Sequence, residues 1–307
     1  MKIPVFVRLI SSLFLLPAAA TAGAGHYAGC AAGVLHIPFA TAQLKEEGDE
    51  YAAVECHLQP QPVLNRQRWL PALPQLEWTQ GLRTELSRSK GYAEFSDWRI
   101  GLPLYRISHM MIAVTTRRQQ LQQLHSLREP ATISGQTYQP NQALLLSART
   151  AQWGIELDTR QSGSPISSVE LAHIQHWQPL NIRVLNDNQD TLTPAQFDYW
   201  QLSIKRQPLL PGWQVSWVFS LGHGQVYDDG NAGLLDNAAL ANDFINLGLM
   251  LGTTWRWRIT PHLHWYNHLQ GESQNVLFVS RRDDDNLRVE NINRFSYRFL
   301  SGIDWRF

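Results

Sequence analysis

From Phe295 to Phe307 apolar residues recur at every second position: Phe295, Tyr297, Phe299, Ile303, Trp305 and Phe307, with Ser301 as the interruption. Between them stand Arg294, Ser296, Arg298, Leu300, Gly302, Asp304 and Arg306. Successive side chains of a strand point to opposite faces. The segment therefore predicts a strand with one aromatic face and one mostly charged or small face. The same period appears upstream. Leu76, Trp78, Leu82 and Leu86 oppose Glu77, Thr79, Gly81, Arg83 and Glu85. Trp153, Ile155 and Leu157 oppose Gln152, Gly154, Glu156, Asp158 and Arg160. Trp213, Val215, Trp217, Phe219 and Leu221 oppose Gln214, Ser216, Ser220, Gly222 and Gly224. Ile245, Leu247, Leu249 and Leu251 run on to Trp255 and Trp257, opposite Asn246, Gly248, Gly252, Arg256 and Arg258. Leu263 and Trp265 oppose His262, His264 and His268. These are period-two patterns, not helical ones. Segments 92–100, 105–116, 166–182 and 197–207 alternate less cleanly, and Met110-Met111-Ile112 breaks the pattern within Leu102–Thr116.

The connections are unequal. Gln161–Pro165, Pro208–Gly212 and Ile259–His262 read as tight turns, whereas 183–196, 227–244 and 274–293 read as long polar links. Short turns at one end and long loops at the other suit a membrane-spanning barrel. A soluble barrel or sandwich, such as a periplasmic binding protein, also alternates. Three features favour the membrane. Trp213, Trp257 and Trp305 fall near strand ends, where interfacial aromatic belts sit. The polar face is rich in Gly and Ser. The chain has 22 Arg against 4 Lys, and Arg suits enclosed, forked pairing better than a solvated surface does. The expected fold is all-β: an antiparallel up-and-down transmembrane barrel over residues 73–307. About ten strands fit between Leu76 and Phe307, with eight and twelve as alternatives. The closing segment resembles the last strand of a Gram-negative outer-membrane β-barrel. That resemblance implies that Tyr297, Phe299, Ile303, Trp305 and Phe307 form an insertion signal read by the barrel-assembly machinery. It implies outer-membrane lipid and lipopolysaccharide as partners, with the short turns on the periplasmic side.

The amino terminus fits that address. Lys2 and Arg8 flank an apolar run, densest over Leu9–Leu16, and Ala20-Thr21-Ala22 offers an A-x-A cleavage site, so residues 1–22 read as a signal peptide. Cleavage after Ala22 would leave 285 residues (307 − 22) with 24 basic and 26 acidic side chains. That balance gives no reason to expect nucleic acid as a partner. Residues 23–72 keep neither strand nor helix period and read as an irregular periplasmic leader, a small cap or a plug. Cys30 and Cys56 could pair there in an oxidising compartment, closing an amino-terminal loop.

Charged residues on the inner face are the candidate site. Glu156, Asp158, Arg160, Arg256, Arg258, Arg298, Asp304 and Arg306, with Arg83 and Glu85, would either fill a narrow lumen as an ion-pair network or form a charged constriction. The expected role is structural, adhesive or slow transport through a narrow or closed lumen. The alternative is an outer-membrane hydrolase built on His223, His262, His264 or His268 with Ser220 and Asp228-Asp229. Ser220 and His223, however, have opposite parity, and no nucleophile motif joins them. No cofactor, metal or catalytic residue is assigned. Arg281-Arg282-Asp283-Asp284-Asp285-Asn286 reads as a solvated loop tip, and Gly233–Phe244 as a short helix within a loop.

Overall fold

The computed structural model describes residues 27–37, 49–59, 74–83, 90–107, 110–126, 130–133, 136–140, 143–159, 165–184, 190–191, 195–206, 212–227, 243–281 and 287–306. Among them, twelve antiparallel strands follow one another round a closed barrel. They are β1 (Tyr27–Ile37), β2 (Asp49–Gln59), β3 (Gln75–Arg83), β4 (Lys90–Ile107), β5 (Met110–Ser126) and β6 (Ala143–Asp158). The series continues with β7 (Ser168–Val184), β8 (Ala195–Arg206), β9 (Gly212–Tyr227), β10 (Asp243–Arg258), β11 (Leu263–Arg281) and β12 (Leu287–Arg306). Each strand pairs with its chain neighbours, and β1 pairs with β12 from Tyr27 opposite Arg306 to His36 opposite Tyr297. A small ribbon, Ala131–Ile133 with Gln136–Tyr138, lies between β5 and β6. Directly opposed residues, followed once round the barrel, lead from Tyr227 through Trp177, Arg149, Gln120, Val54 and Ser301 to Trp213, 14 residues lower on the same strand. Such a stagger means the strands tilt, roughly 35–45° in barrels of this kind.

Ten of these strands are those expected between Leu76 and Phe307. The other two come from the segment read as a periplasmic leader, so one misreading accounts for both the strand count and the domain boundary. β1 reads YAGCAAGVLHI, and from Ala28 to Gly33 both of its faces are built of small residues. Without a size or polarity contrast, period two leaves no trace in the sequence. Pairing with β12 on one side and β2 on the other makes it a strand. Cys30 and Cys56 are directly opposed in these two strands and are joined by a disulfide. The bond thus lies in the barrel wall, not in a free amino-terminal loop. Two other expectations change. The long link 274–293 is mostly paired strand, since β11 and β12 run to Arg281 and from Leu287. Leu102–Thr116 contains the end of β4 and the start of β5, with a register shift between Pro103 and Tyr105. The alternation failed there because the chain reverses inside the window.

The outside is apolar. Trp213, Val215, Phe219, Leu221, Leu249, Leu251, Trp255, Trp265, Phe299, Ile303 and Trp305 are all exposed, an arrangement stable in lipid and costly in water. The opposite positions face inward and are buried: Thr115, Glu156, Asp158, Glu170, Ser203, Lys205, Ser216, Ser220, Asn246 and Asp304. A soluble barrel would reverse these faces. Signal cleavage at Ala22 lies outside the described residues, as do residues 233–242 of the short helix expected over Gly233–Phe244, whose last two residues instead begin β10.

Candidate functional site

The largest charge network of the lumen spans β3 to β8. Arg99 of β4 reaches three carboxylates: Glu156 at 2.9 Å, Glu170 at 3.4 Å and Glu77 at 3.7 Å. The Lys205 ammonium of β8 donates to Glu170 and lies 3.9 Å from Glu156. Glu170 also accepts from Thr115 Oγ1 at 2.6 Å and from Gln152 Nε2 at 3.3 Å. Donors from four strands thus converge on one carboxylate. The physical reason is enclosure: charge away from bulk water is tolerable when opposite charge and donors surround it. One layer further toward the extracellular end, Arg117 makes a forked pair with Asp97 at 2.6 and 3.0 Å, supported by Gln119. Arg298 similarly bridges Glu55 at 2.6 Å and Gln270 at 2.6 and 2.9 Å.

A second cluster sits near the periplasmic end. Asp304 is 1% exposed; its Oδ2 accepts from Arg256 Nε at 2.9 Å and its Oδ1 lies 3.0 Å from His57 Nε2. Gly29 of β1 leaves the space for this pair. A Cβ there would meet Asp304 Oδ1 at 2.2 Å and the His57 ring at 3.0 Å. Arg256 also lies over the Tyr266 ring, 5.6 Å from its centre.

The opposite wall, on β9 and β10, is small. Ser216, Ser220, Gly248 and Gly252 face inward there, and a Cβ on Gly248 would meet Ser220 Oγ at 2.3 Å. Two cavities occupy the lumen, and the lower one touches this wall at Ser216 and Ser220. The lower, about 250 Å³, is lined by Ser216, Ser220, Gln214, Lys205, Glu170 and Arg256 among others. The upper, about 300 Å³, adds an aromatic lining from Phe95, Phe197, Tyr199 and Phe244. Both are bounded by Asp97, Arg117, Gln201, Gln270, Glu272 and Arg298, so one layer of side chains lies between them. The lower cavity is bordered by five carboxylates, Glu55, Glu77, Asp97, Glu170 and Glu272, and five cations, Arg99, Arg117, Lys205, Arg256 and Arg298. Formal charge therefore cancels along this part of the passage.

Of the residues expected to form the lumen network, Glu156, Arg256, Arg298 and Asp304 take part in the pairs above, and Asp158 is buried on the same face. Arg258 and Arg306 are exposed at strand ends. Arg160 and Glu85 lie outside the described residues, as does the Arg83 side chain. The centre of the network was missed: Arg99, Glu170, Lys205, Asp97, Arg117 and His57. Parity would have found Glu170 and Lys205 within the less regular segments, and Arg99 beside the outward Trp98. The insertion-signal residues Phe299, Ile303 and Trp305 face outward. Tyr297, on the same face, donates to Glu50, and Phe307 lies outside the described residues.

The histidines do not assemble a catalytic dyad. His223 is exposed on the outer face with Leu221, not in the lumen, and Ser220 points inward. His262 lies in the turn after β10, with Nδ1 3.1 Å from the Arg306 carbonyl. His268 contacts Thr254 and Gln270, and His264 is buried with its Nδ1 unpaired. Among the described residues, the hydrogen bonds of His262 and His268 reach no Ser, Asp or Glu side chain, so the expected hydrolase site is not assembled there. Among the described residues, no set of three His, Cys, Asp or Glu side chains is placed to hold a metal.

A closed sheet with an apolar jacket and a polar interior leaves no strand edge to face lipid. The architecture is that of an outer-membrane β-barrel. No family model and no curated protein matches the chain. Among solved structures, the β-domain of the Bordetella autotransporter BrkA matches at 11% identity, covering 92% of this chain and 99% of that one, with a TM-score of 0.34. OmpT, an outer membrane protein of Vibrio cholerae, matches at 6% identity over 92% and 97%, TM-score 0.31. The outer membrane channel DcaP of Acinetobacter baumannii matches at 7% identity over 92% and 96%, TM-score 0.30. Likenesses this slight carry no argument about the barrel, whose description rests on its own closure and its own faces.

Proposed function

We propose that this protein is a narrow outer-membrane conduit for small hydrophilic solutes, passive and with little preference for charge sign. The observation that carries this reading is the pair of stacked cavities along the lumen, which share a layer of lining side chains, the lower one lying against Ser216 and Ser220 of β9. Their lining runs from Gln214 and Arg256 near the periplasmic end to Val276 and Arg294 near the extracellular end. The charged wall opposite is self-paired and so adds polarity without a net field. A structural or adhesive barrel would instead leave the bilayer sealed. The test is conductance of the purified, folded barrel in a planar bilayer. Small, weakly ion-selective steps are expected, and Ser220→Trp or Gly248→Trp should reduce them several-fold while heat-modifiable gel mobility is retained. A folded wild-type barrel that conducts no better than lipid alone overturns the reading.

The same proposal includes export through a leader cleaved after Ala22, read out as the mass of the mature chain. It also includes assembly through the aromatic face of β12. Deleting Phe307 should lower the amount of barrel in the outer membrane well below that of Arg306→Gln.

A further inference from the structure

The upper cavity combines aromatic rings with primary amides. Its aromatic side chains are ordered in depth. Phe197 and Phe244 are buried and packed edge to face, with ring centres 5.3 Å apart and planes at 87°. Tyr199 meets the same Phe244 edge-on at 5.2 Å. Tyr199 itself and Phe95 of β4 are only half-buried, so these two rings turn surface to the cavity. Gly222 of β9 sets how Tyr199 lies. A Cβ there would meet Tyr199 Cδ2 at 2.9 Å and Cε2 at 3.1 Å. The ring therefore rests along the barrel wall, where a larger side chain would push it into the lumen. Around the rings stand the amides of Gln119, Gln152, Gln201, Asn246, Gln270 and Gln274. Each is held by a neighbour. Gln119 donates to Asp97 at 2.9 Å, Gln152 to Glu170 at 3.3 Å and Gln274 to Glu272 at 2.8 Å. Asn246 donates to Gln201 at 3.3 Å, and Gln270 accepts from Arg298. A primary amide has two N–H donors and a carbonyl, so one such bond orients the side chain and keeps further donors and acceptors for a ligand. Charge balances here too. Asp97 and Glu272 line the cavity with Arg117, Arg294 and Arg298, and Arg298 also bridges to Glu55 at 2.6 Å.

We infer that the upper cavity is a binding site for a neutral sugar, a mono- or disaccharide, on its way through the barrel. The inference rests on the conduit reading and names its solute. A pyranose ring carries polarised C–H groups on its faces and hydroxyls round its edge. The electron-rich face of an aromatic side chain takes the first. Amides, each both donor and acceptor, take the second. A flat aromatic solute would use the rings and leave the amides unanswered. An open-chain polyol would use the amides and not the rings. An ionic solute would find no net charge to hold it. At about 300 Å³ the cavity is at the small end of ligand sites, which keeps the occupant short.

The test measures current through the folded barrel in a planar bilayer while glucose or cellobiose is added, with mannitol and glucuronate as counterparts. Calorimetry with cellobiose, in a detergent without a sugar headgroup, reports binding independently of conduction. Both sugars should block the current saturably at millimolar concentration. Mannitol should lower it only as it lowers the conductivity of the bath. Tyr199→Leu and Phe95→Leu should each raise the half-blocking concentration of cellobiose several-fold; should either fail to fold, Gln274→Ala should do the same. A barrel that conducts but is not saturably blocked overturns the sugar site and leaves the conduit reading standing. A barrel that does not conduct yet binds cellobiose overturns the conduit reading and keeps the site. Block by mannitol equal to that by glucose, tighter block by glucuronate than by glucose, or half-blocking concentrations unmoved by the variants would each overturn the inference.

Discussion

Strands β9 and β10 and strands β5 to β8 are adjoining stretches of one closed sheet, yet they divide their polarity differently. On β9 and β10 the outer positions are large and apolar, and the inner ones are Ser216, Ser220, Gly248 and Gly252. On β5 to β8 the inner positions hold Arg117, Glu156, Glu170 and Lys205, and the outer ones turn polar at Arg118, Arg149, Gln175 and Asp198. The contrast shows that the two faces of a barrel wall answer to separate constraints. Lipid sets the outer face and demands apolar side chains over a height of about 25 Å. The lumen sets the inner face and demands that charges pair or that bulk be absent. The charged wall meets the inner demand by pairing, and the small wall meets it by lack of bulk at Ser216, Ser220, Gly248 and Gly252.

The inner contrast breaks most sharply at Glu170. Glu170→Gln leaves Lys205 and Arg99 short of a counter-charge and should cost about 3–5 kcal/mol, as removal of one partner from a buried pair does. Ser216→Ala on the small wall, whose Oγ is buried without a partner, should change stability by no more than about 0.5 kcal/mol. Urea titration of the folded fraction in vesicles measures both, and equal losses would erase the distinction between the walls. The outer contrast comes next. Leu249→Arg should cost about 2–4 kcal/mol, whereas Gln175→Arg, beside Asp198, should cost about 0–1 kcal/mol. Similar values for the two would mean that Gln175 lies in the same apolar surroundings as Leu249. The smallest effect lies within a single strand. Arg258→Gln, exposed at the end of β10, should stay within about 0.5 kcal/mol of wild type. Arg256→Gln two residues earlier, by uncovering Asp304, should lower the urea midpoint clearly.

The sequence analysis read most of the fold because alternation is local. A pleat sends Trp213 outward and Gln214 inward whatever the rest of the chain does. Hence the barrel class, the ten strands from Leu76 onward, and the inward facing of Glu156, Arg256, Arg298 and Asp304 were all legible. β1 was not, since Gly29, Ala31 and Gly33 differ too little from Ala28, Cys30 and Ala32 to mark a face.

Partner choice inside the lumen is a different matter. Arg99 and Glu170 are 71 residues apart in the chain, and Arg298 and Glu55 are 243 apart. What brings them together is the register of every intervening strand pair and the stagger with which the sheet closes. Parity along the chain determined which way each side chain points, because it depends on a single strand. Which charges meet, where the passage runs, and how depth compares between distant strands were decided by closure of the whole barrel, because each depends on the sum of twelve pairings.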